Sequence, residues 1–222
     1  GDYTIAHCDA CQHRFLDSEL SVDHTRVHYQ DSYFGGGGAG YVDYLAQEKL
    51  ITSYGHRIAN FLSKHGSPGT ALDVGSAAGF LMKGLQDGGW EVAGVEPNVA
   101  MAEEANERFG FTTFIGAIED WCGEEAFDLI SMVQVVAHFR DLRQALSKAR
   151  EATNPHGLWL IETWDFQSLL ARVFGRAWHE YSPPTVLHWF SPLSLDRLMA
   201  SAGAHRVATG RPKKRLLGSH AR

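Results

Sequence analysis

The stretch from Ala71 to Phe80 constrains the fold of this chain more than any other. It reads Ala-Leu-Asp-Val-Gly-Ser-Ala-Ala-Gly-Phe, an apolar segment followed by a run of small residues. The apolar part, 71–74, predicts a short buried strand, and the run 80–85 predicts a helix immediately after the turn. Small residues between a strand and a helix let a ligand approach the backbone closely. Such a turn, with the free N–H groups of the helix N-terminus, is typical of nucleotide-like ligands at the carboxyl edge of a parallel sheet.

Apolar segments and amphipathic segments alternate through most of the chain that follows. We predict strands at 71–74, 90–95, 112–115, 127–133, 158–163 and 204–209. Helices are predicted between them, with Asn98 and Ser191 as two of the N-caps. This alternation is typical of a parallel sheet covered on both faces. The predicted fold class is therefore α/β, a doubly wound and mostly parallel Rossmann-like sheet with 71–74 at its centre.

Ahead of the sheet, large apolar side chains recur at helical spacing and predict an N-terminal helix that packs on the sheet. They are Tyr41, Tyr44, Leu45, Ile51, Tyr54, Ile58 and Phe61. The glycine run 35–38 just before them predicts a flexible hinge. We therefore expect an N-terminal helical arm ahead of the sheet. As domains, we divide the chain into an N-terminal arm at 1–27 and a main domain at 28–222, which includes this helix.

Two families share the outline of this glycine turn, and its individual residues distinguish between them. The dinucleotide fingerprint needs Gly at the first, third and sixth positions, and counted from Gly75 the third and sixth are Ala77 and Phe80. The pattern Asp-x-Gly-x-Ala-x-Gly, from Asp73 to Gly79, instead resembles the first motif of the class I S-adenosylmethionine-dependent methyltransferases, with Ala77 in place of a frequent Gly. An ordinary Gly/Ala-rich turn between a strand and a helix is the alternative.

An acidic residue at the end of the next predicted strand indicates a ribose-containing ligand. Glu96 follows Gly75 by about 20 positions, the spacing at which a carboxylate bonds both ribose hydroxyls. Dehydrogenases and methyltransferases share this acid, so it does not choose between them. The alternative is that Glu96 only favours the start of the next helix through the helix dipole.

Further motifs extend the resemblance over nearly all of the chain after residue 27. The segment 127–130 resembles the fourth-strand motif, and 137–141 resembles its Glu-His-x-x-Asp continuation with Ala in place of the acid. The segment 154–157 resembles the Pro-Gly-Gly turn before the fifth strand, with His in place of one Gly. The segment 188–191, before a Leu-rich helix, resembles a branch whose members often follow an N-terminal zinc ribbon.

The resemblance implies an enzyme that uses S-adenosylmethionine as its cofactor and methylates a small or mid-sized organic acceptor at an O-, C- or N-nucleophile. It places the cofactor over the glycine turn with its ribose hydroxyls on Glu96. Residues 117–119 are expected to border the adenine, and Met132 or Val133 to lie below it. The expected cofactor-binding residues are Asp73, Gly75, Ser76, Ala77, Gly79, Glu96, Pro97, Ala117, Ile118, Glu119, Met132 and Val133.

Two aromatic segments outside the regular strands and helices, 28–44 and 164–190, are predicted to enclose the acceptor. The ligand edge of this fold is the carboxyl end of the strands, so any cover over it comes from such segments. The candidate lining residues are Tyr29, Tyr33, Tyr41, Trp164, Trp178, His179, Tyr181 and His188. Ordinary packing is the alternative for most of these rings.

His138, just after the fourth predicted strand, is the candidate catalytic residue. Methyl transfer from a sulfonium mainly requires alignment of the acceptor, and it requires a base only where the nucleophile carries a proton. An imidazole with an ordinary pKa of about 6.5 suits deprotonation of a hydroxyl at neutral pH. The alternative is a buried histidine hydrogen-bonded to the backbone.

Cys8 and Cys11 form a Cys-x-x-Cys pair in the arm. One such pair supplies two of the four ligands of a zinc ribbon, and the sequence has no second pair. The arm resembles the second half of a ribbon that precedes some bacterial methyltransferase domains. The alternative is a pair of reduced thiols on a disordered arm. We therefore predict no metal site in this chain.

Composition restricts the partners and the compartment. A net charge of −6 over 222 residues disfavours a general role with nucleic acid, although basic residues and no acidic ones follow Asp196. Among them are Arg206, Arg211, Lys213, Lys214, Arg215 and Arg222. Three cysteines fit a reducing cytoplasm, and no apolar run is long enough to span a membrane. A homodimer is compatible with the sequence, and Gly1 in place of Met predicts a start inside a longer protein.

Two other functions are kept as alternatives. One is a nicotinamide-dependent oxidoreductase, which Ala77 and Phe80 disfavour because the dinucleotide fingerprint fails at both positions. The other is a non-catalytic member of the fold that binds a ligand or a partner protein through its arm and tail.

Overall fold

The structure is a computed structural model that describes residues 3–21, 23–36 and 40–212. In chain order the strands are β1 Ile5–His7, β2 Arg14–Leu16, β3 Thr70–Val74, β4 Glu91–Glu96, β5 Thr113–Ile115, β6 Phe127–Val133, β7 Thr153–Glu162 and β8 His188–Trp189. The α-helices are α1 His24–His28, α2 Asp31–Gly35, α3 Glu48–Leu62, α4 Phe80–Asp87, α5 Val99–Phe109, α6 Leu142–Glu151, α7 Leu169–Phe174 and α8 Pro192–Ser201. None of these helices is long and apolar enough to cross a bilayer.

Five strands form one all-parallel sheet in the order β5-β4-β3-β6-β7. Neighbouring residues of a strand point to opposite faces. Leu72 and Ile130 therefore pack on the side of α6 and α8, whereas Ala71 and Leu129 pack on the side of α3 and α4. The central position of β3 and the two helical layers confirm the predicted doubly wound fold.

The strand predicted at 204–209 is wrong. These residues form no regular structure beyond α8 and pair with no strand in the described part of the chain. Val207 is the one large apolar residue among them, and it is exposed. The segment therefore has no apolar face that pairing with the sheet would bury.

The N-terminal helix begins later than its apolar pattern predicts. A single 3-10 turn at Leu45–Gln47 leads into α3, and Tyr41 and Tyr44 lie before it. Tyr44 is buried, with its ring stacked 5.4 Å from that of Phe80, the first residue of α4. Both tyrosines pack beside the glycine turn. They therefore have the spacing of a helical face although they lie outside the helix.

The turn predicted at 154–157 lies inside β7. Thr153 pairs with Phe127, and Leu158 is the next residue in register, with Leu129. The intervening residues form a bulge in this edge strand, with His156 at a φ of 69°. The predicted irregularity is therefore present, but it interrupts β7 instead of preceding it.

The N-terminal arm begins as a β-hairpin, which the sequence patterns did not predict. β1 pairs with β2, and β2 pairs with β8 of the 164–190 insertion to complete a three-stranded antiparallel sheet. The His13 ring stacks on that of Phe190, the last residue of the insertion, with centroids 4.9 Å apart. The arm and the insertion are thus one packed unit, and the division at residue 28 stays a prediction. Glycines 37–38 and the basic residues 213–215 and 222 lie outside the described residues.

Candidate active site

The turn between β3 and α4 is held in a left-handed conformation. Gly75, Ala77 and Gly79 have φ angles of 74°, 44° and 77°. The N–H groups of Gly75 and Ser76 donate to the Val95 carbonyl oxygen at 2.8 and 3.1 Å, which ties the turn to the end of β4. A Cβ on Gly75 would also lie 2.9 Å from a methyl carbon of Val135. Glycine is therefore required at this position by both conformation and space.

Glu96, the last residue of β4, lies beneath the turn and is 3% exposed. Its Oε2 accepts the N–H of Ala77 at 2.8 Å, and its Oε1 accepts the N–H of Asn98 at 2.8 Å. Burial raises the pKa of this carboxyl to about 7, against the two N–H bonds, which lower it. Each carboxylate oxygen retains a lone pair, so the group can accept two further hydrogen bonds.

The N-terminus of α4 offers a second set of polar groups. Asn98 and Asp141 cap α5 and α6 with their side chains, whereas Gly79 at the start of α4 provides no side-chain cap. The Ser76 hydroxyl in the same turn is buried without a hydrogen-bond partner among the described residues. Uncapped N–H groups suit an anion, and Glu96 suits a pair of hydroxyls. The turn therefore fits a nucleoside ligand that carries a carboxylate.

The other expected cofactor residues lie along the carboxyl edge of the sheet. Burial raises the pKa of Asp73, near the end of β3, to about 7. Met132 is fully buried in β6, while Val133, Pro97 and Ala117 are partly exposed.

Glu119 and Ile118 have contacts of their own within the protein. Glu119 accepts the N–H groups of Arg140 and Asp141 at 2.9 and 3.3 Å, so its carboxylate holds the segment after β6. Ile118 is buried in the core.

A row of six aromatic rings covers the carboxyl edge from the end of β6 to the start of α4, with successive centroids 5.0–5.9 Å apart. This aromatic row runs in the order His138, Tyr29, Tyr33, Tyr41, Tyr44 and Phe80. Burial raises the pKa of each tyrosine in the row, so their hydroxyls stay protonated at neutral pH. The structure thus brings three of the predicted acceptor residues together above the glycine turn.

Asn98 links the aromatic row to the glycine turn by hydrogen bonds. Its Oδ1 accepts the N–H of Met101, which confirms the predicted N-cap. Its Nδ2 donates to the Tyr29 carbonyl oxygen and to the Asp31 carboxylate, both at 3.0 Å. Glu96 accepts the backbone N–H of Asn98, so the aromatic row and the candidate ribose acid are both hydrogen-bonded to this residue.

His138 lies in a single helical turn after β6 and is partly buried. Its Nδ1 is 2.8 Å from the Thr185 carbonyl oxygen and 2.9 Å from the Tyr29 hydroxyl, which donates to the same carbonyl. Because the carbonyl only accepts, we assign the proton to Nδ1 and the lone pair to Nε2. No described residue is hydrogen-bonded to Nε2. Burial lowers the pKa of the imidazole, so the ring is neutral at pH 7 and its unprotonated nitrogen can accept a proton.

The five predicted acceptor residues of the insertion separate into two groups. Trp178, Tyr181 and His188 belong to the packing between arm and insertion: Tyr181 accepts a bond from Arg14, and His188 Nε2 lies 2.9 Å from the Phe139 carbonyl oxygen. Trp164 and His179 are exposed, with ring centroids 5.8 Å apart. The structure does not gather these five with the aromatic row.

Sequence reasoning missed several polar groups of this edge. Thr185 holds His138 through its backbone, which no side-chain pattern reveals. Glu162, the last residue of β7, accepts from the Tyr54 hydroxyl and from the Gln134 amide. An acid at the end of a predicted parallel strand was the available signal for Glu162.

The Cys-x-x-Cys pair occupies the loop between β1 and β2. The N–H of Cys11, its thiol and the N–H of Ala10 lower the pKa of the Cys8 thiol. Across the described ranges, no group of three or more His, Cys, Asp or Glu residues is placed to hold a metal ion.

We therefore predict that the purified chain carries much less than one zinc per molecule, because two thiolates leave a tetrahedral site half-filled. Elemental analysis after dialysis measures this directly. Stoichiometric zinc that survives dialysis would contradict the prediction and would show that further ligands exist.

Comparison with known proteins places the chain in a family. The family model described as "Methyltransferase domain" matches residues 46–208, most of the chain. The chain therefore belongs to the methyltransferase family and is an enzyme that uses S-adenosylmethionine. This membership decides against the nicotinamide-dependent alternative.

Two relatives are named ubiquinone biosynthesis O-methyltransferase. The one from Azorhizobium caulinodans is 26% identical over 173 residues, 72% of this chain and 67% of that protein. The one from Paramagnetospirillum magneticum is 32% identical over 99 residues, 42% of this chain and 40% of that protein. An S-adenosylmethionine-dependent methyltransferase structure from Leishmania major has a TM-score of 0.61 at 18% identity, covering 84% of this chain and 76% of that one. This likeness confirms the fold.

Proposed function

We propose that the chain transfers the methyl group of S-adenosylmethionine to a hydroxyl oxygen of a small organic acceptor, with His138 as the base. The observation that carries this proposal is the contact of His138 Nδ1 with the Thr185 carbonyl oxygen, which assigns the lone pair to Nε2 in a ring at one end of the aromatic row. A base is useful only for a nucleophile that carries a proton. The names of the two relatives, both O-methyltransferases, support oxygen as the acceptor atom.

The glycine turn is the proposed cofactor site. The cofactor supplies a methyl group on a sulfonium that becomes neutral as the methyl leaves, so the protein mainly positions the two reactants. Glu96 would accept both ribose hydroxyls, and the N-terminus of α4 would bind the carboxylate. Residues 117–119 would border the adenine, with Met132 or Val133 below it. The uncapped helix and the remaining lone pairs of Glu96 support this placement.

The aromatic row is the proposed wall of the acceptor site. Tyr29, Tyr33 and Tyr41 would contact the acceptor. Trp164 and His179 would lie at the rim of the acceptor site. Trp178, Tyr181 and His188, which pack between arm and insertion, would support this wall. The net charge of −6 supports a small molecule instead of nucleic acid. A cytoplasmic location and a homodimer remain predictions of the sequence.

The cover must open for a ligand to reach Glu96, which is 3% exposed. Residues 29–31 are bonded to Asn98, so opening breaks two hydrogen bonds at one side chain. Loops that close over an active site exclude water from the reaction. We propose that the aromatic row performs this role here.

Affinity for S-adenosylmethionine should depend on pH through Glu96. Ribose hydroxyls donate to the ionised carboxylate, and in the free protein the pKa of this group is raised to about 7. Affinity should therefore be full well above pH 7 and should fall as pH drops below it, by up to about tenfold per pH unit. Calorimetric titrations between about pH 6 and pH 8 test this, and the same affinity across the range would contradict it.

The reaction itself is tested with S-adenosylmethionine labelled in its methyl group. The acceptors are pairs in which one member carries a hydroxyl and the other carries an amine at the same position. We expect label in the hydroxyl member of a pair and none in its methoxy derivative. Label in amines alone would contradict O-methylation. Tight cofactor binding with no transfer to any hydroxyl of the panel would likewise contradict the proposed acceptor class.

A further inference from the structure

Helix α7, in the middle of the insertion, exposes more apolar surface than the fold explains. Leu169, Leu170, Val173 and Phe174 are 76%, 62%, 70% and 56% exposed. Single exposed apolar residues are ordinary, but a contiguous group of four large ones marks an interaction site.

The four side chains form one face of α7. At 3.6 residues per turn each residue advances about 100°, so the four lie within an arc of about 140°. Ala171 lies beside this arc and is buried against the packed core of arm and insertion. Ser168 caps the helix through the N–H of Ala171. The helix is therefore anchored on one side and presents its apolar arc outward.

The ionisable residues of α7 and of the turn that follows it are basic, whereas Asp165 and Glu180 lie just outside this stretch. Between Gln167 and Ala177 the ionisable residues are Arg172 and Arg176, both exposed, whereas the whole chain carries a net charge of −6. A second copy of the chain would be a poor occupant, since a two-fold contact sets the same basic patch against itself. An apolar arc flanked by arginines instead matches a bilayer surface with anionic headgroups.

We propose that α7 binds the surface of an anionic membrane, with its apolar arc in the interface and Arg172 and Arg176 on the headgroups. The same insertion carries Thr185, whose carbonyl holds His138. Membrane contact therefore occurs on the segment that borders the candidate active site. This inference does not depend on the identity of the acceptor.

Co-sedimentation of the full chain with vesicles tests the proposal. We expect binding to phosphatidylcholine vesicles that contain phosphatidylglycerol, weaker binding without it, and weaker binding in added NaCl. A Val173→Ser/Phe174→Ser variant should lose at least about tenfold in partition coefficient. An Arg172→Ser/Arg176→Ser variant should lose the preference for phosphatidylglycerol.

The matched control is Leu193→Ser/Val207→Ser, which removes two exposed apolar residues from elsewhere on the surface and should bind as the wild type does. Circular dichroism verifies that each variant is folded. Absence of vesicle binding, or binding that the α7 variant leaves unchanged, would overturn the proposal. A dimer that the α7 variant converts to monomer in sedimentation velocity, without vesicle binding, would assign the face to self-association instead.

Discussion

Replacing Glu96 with Ala is expected to weaken binding of S-adenosylmethionine by roughly 2–4 kcal/mol, about 30- to 700-fold. In the proposed site the variant would remove the acceptor for two ribose hydroxyls, each worth roughly 1.5–3 kcal/mol with partial compensation. Isothermal calorimetry at about pH 8, where the wild-type carboxyl is ionised, measures the difference. Glu91→Ala is the matched control, because Glu91 begins the same strand and is exposed.

The same substitution also affects the fold. Ala77 and Asn98 lose the acceptor of their buried N–H groups, so we expect a lower melting temperature in the variant. Thermal melts must therefore accompany the titrations, so that affinity is compared between folded samples. An unchanged affinity in a folded Glu96→Ala protein would remove Glu96 from the cofactor site.

Replacing His138 with Gln should lower turnover by about 10²–10⁴-fold and leave the affinity for S-adenosylmethionine unchanged. The reason is that Gln keeps a polar side chain near the Thr185 carbonyl but has no basic nitrogen. Turnover with an acceptor hydroxyl, measured beside cofactor affinity, separates the two effects. His205→Gln, at an exposed position beyond α8, is the control.

The pH profile adds a readout that a structural role would not change. Burial lowers the pKa of His138, so kcat of the wild type should fall only on the acidic side of the ordinary histidine value. This acidic limb should be absent from the residual activity of the variant. Full activity in His138→Gln would leave His138 a structural residue that holds Tyr29 and Thr185 together.

The sequence predicted what short-range physics determines. A strand of five residues, a turn of small residues and a helix follow directly from the order of Thr70 to Asp87. The caps at Asn98 and Ser191 are bonds within three or four residues, and both are present. The position of Glu96 under the turn likewise follows from the pairing of neighbouring parallel strands.

The contacts that the sequence did not predict join distant parts of the chain. Asn98 bonds Tyr29 across 69 positions, and His138 reaches Thr185 across 47. The pairing of β2 with β8 brings the N-terminal hairpin onto the insertion, which no local periodicity encodes. The sequence does not distinguish the aromatic rings that cover the turn from those that pack elsewhere, because the same ring suits both environments.

We propose that the glycine turn and Glu96 hold S-adenosylmethionine beneath the aromatic row. A crystal structure of the chain with S-adenosylhomocysteine tests it most directly. We predict both ribose hydroxyls within hydrogen-bond distance of Glu96, the amino-acid carboxylate at the N-terminus of α4, and the sulfur facing Tyr29 and His138. A ligand bound elsewhere, or a ribose directed away from Glu96, would contradict the account.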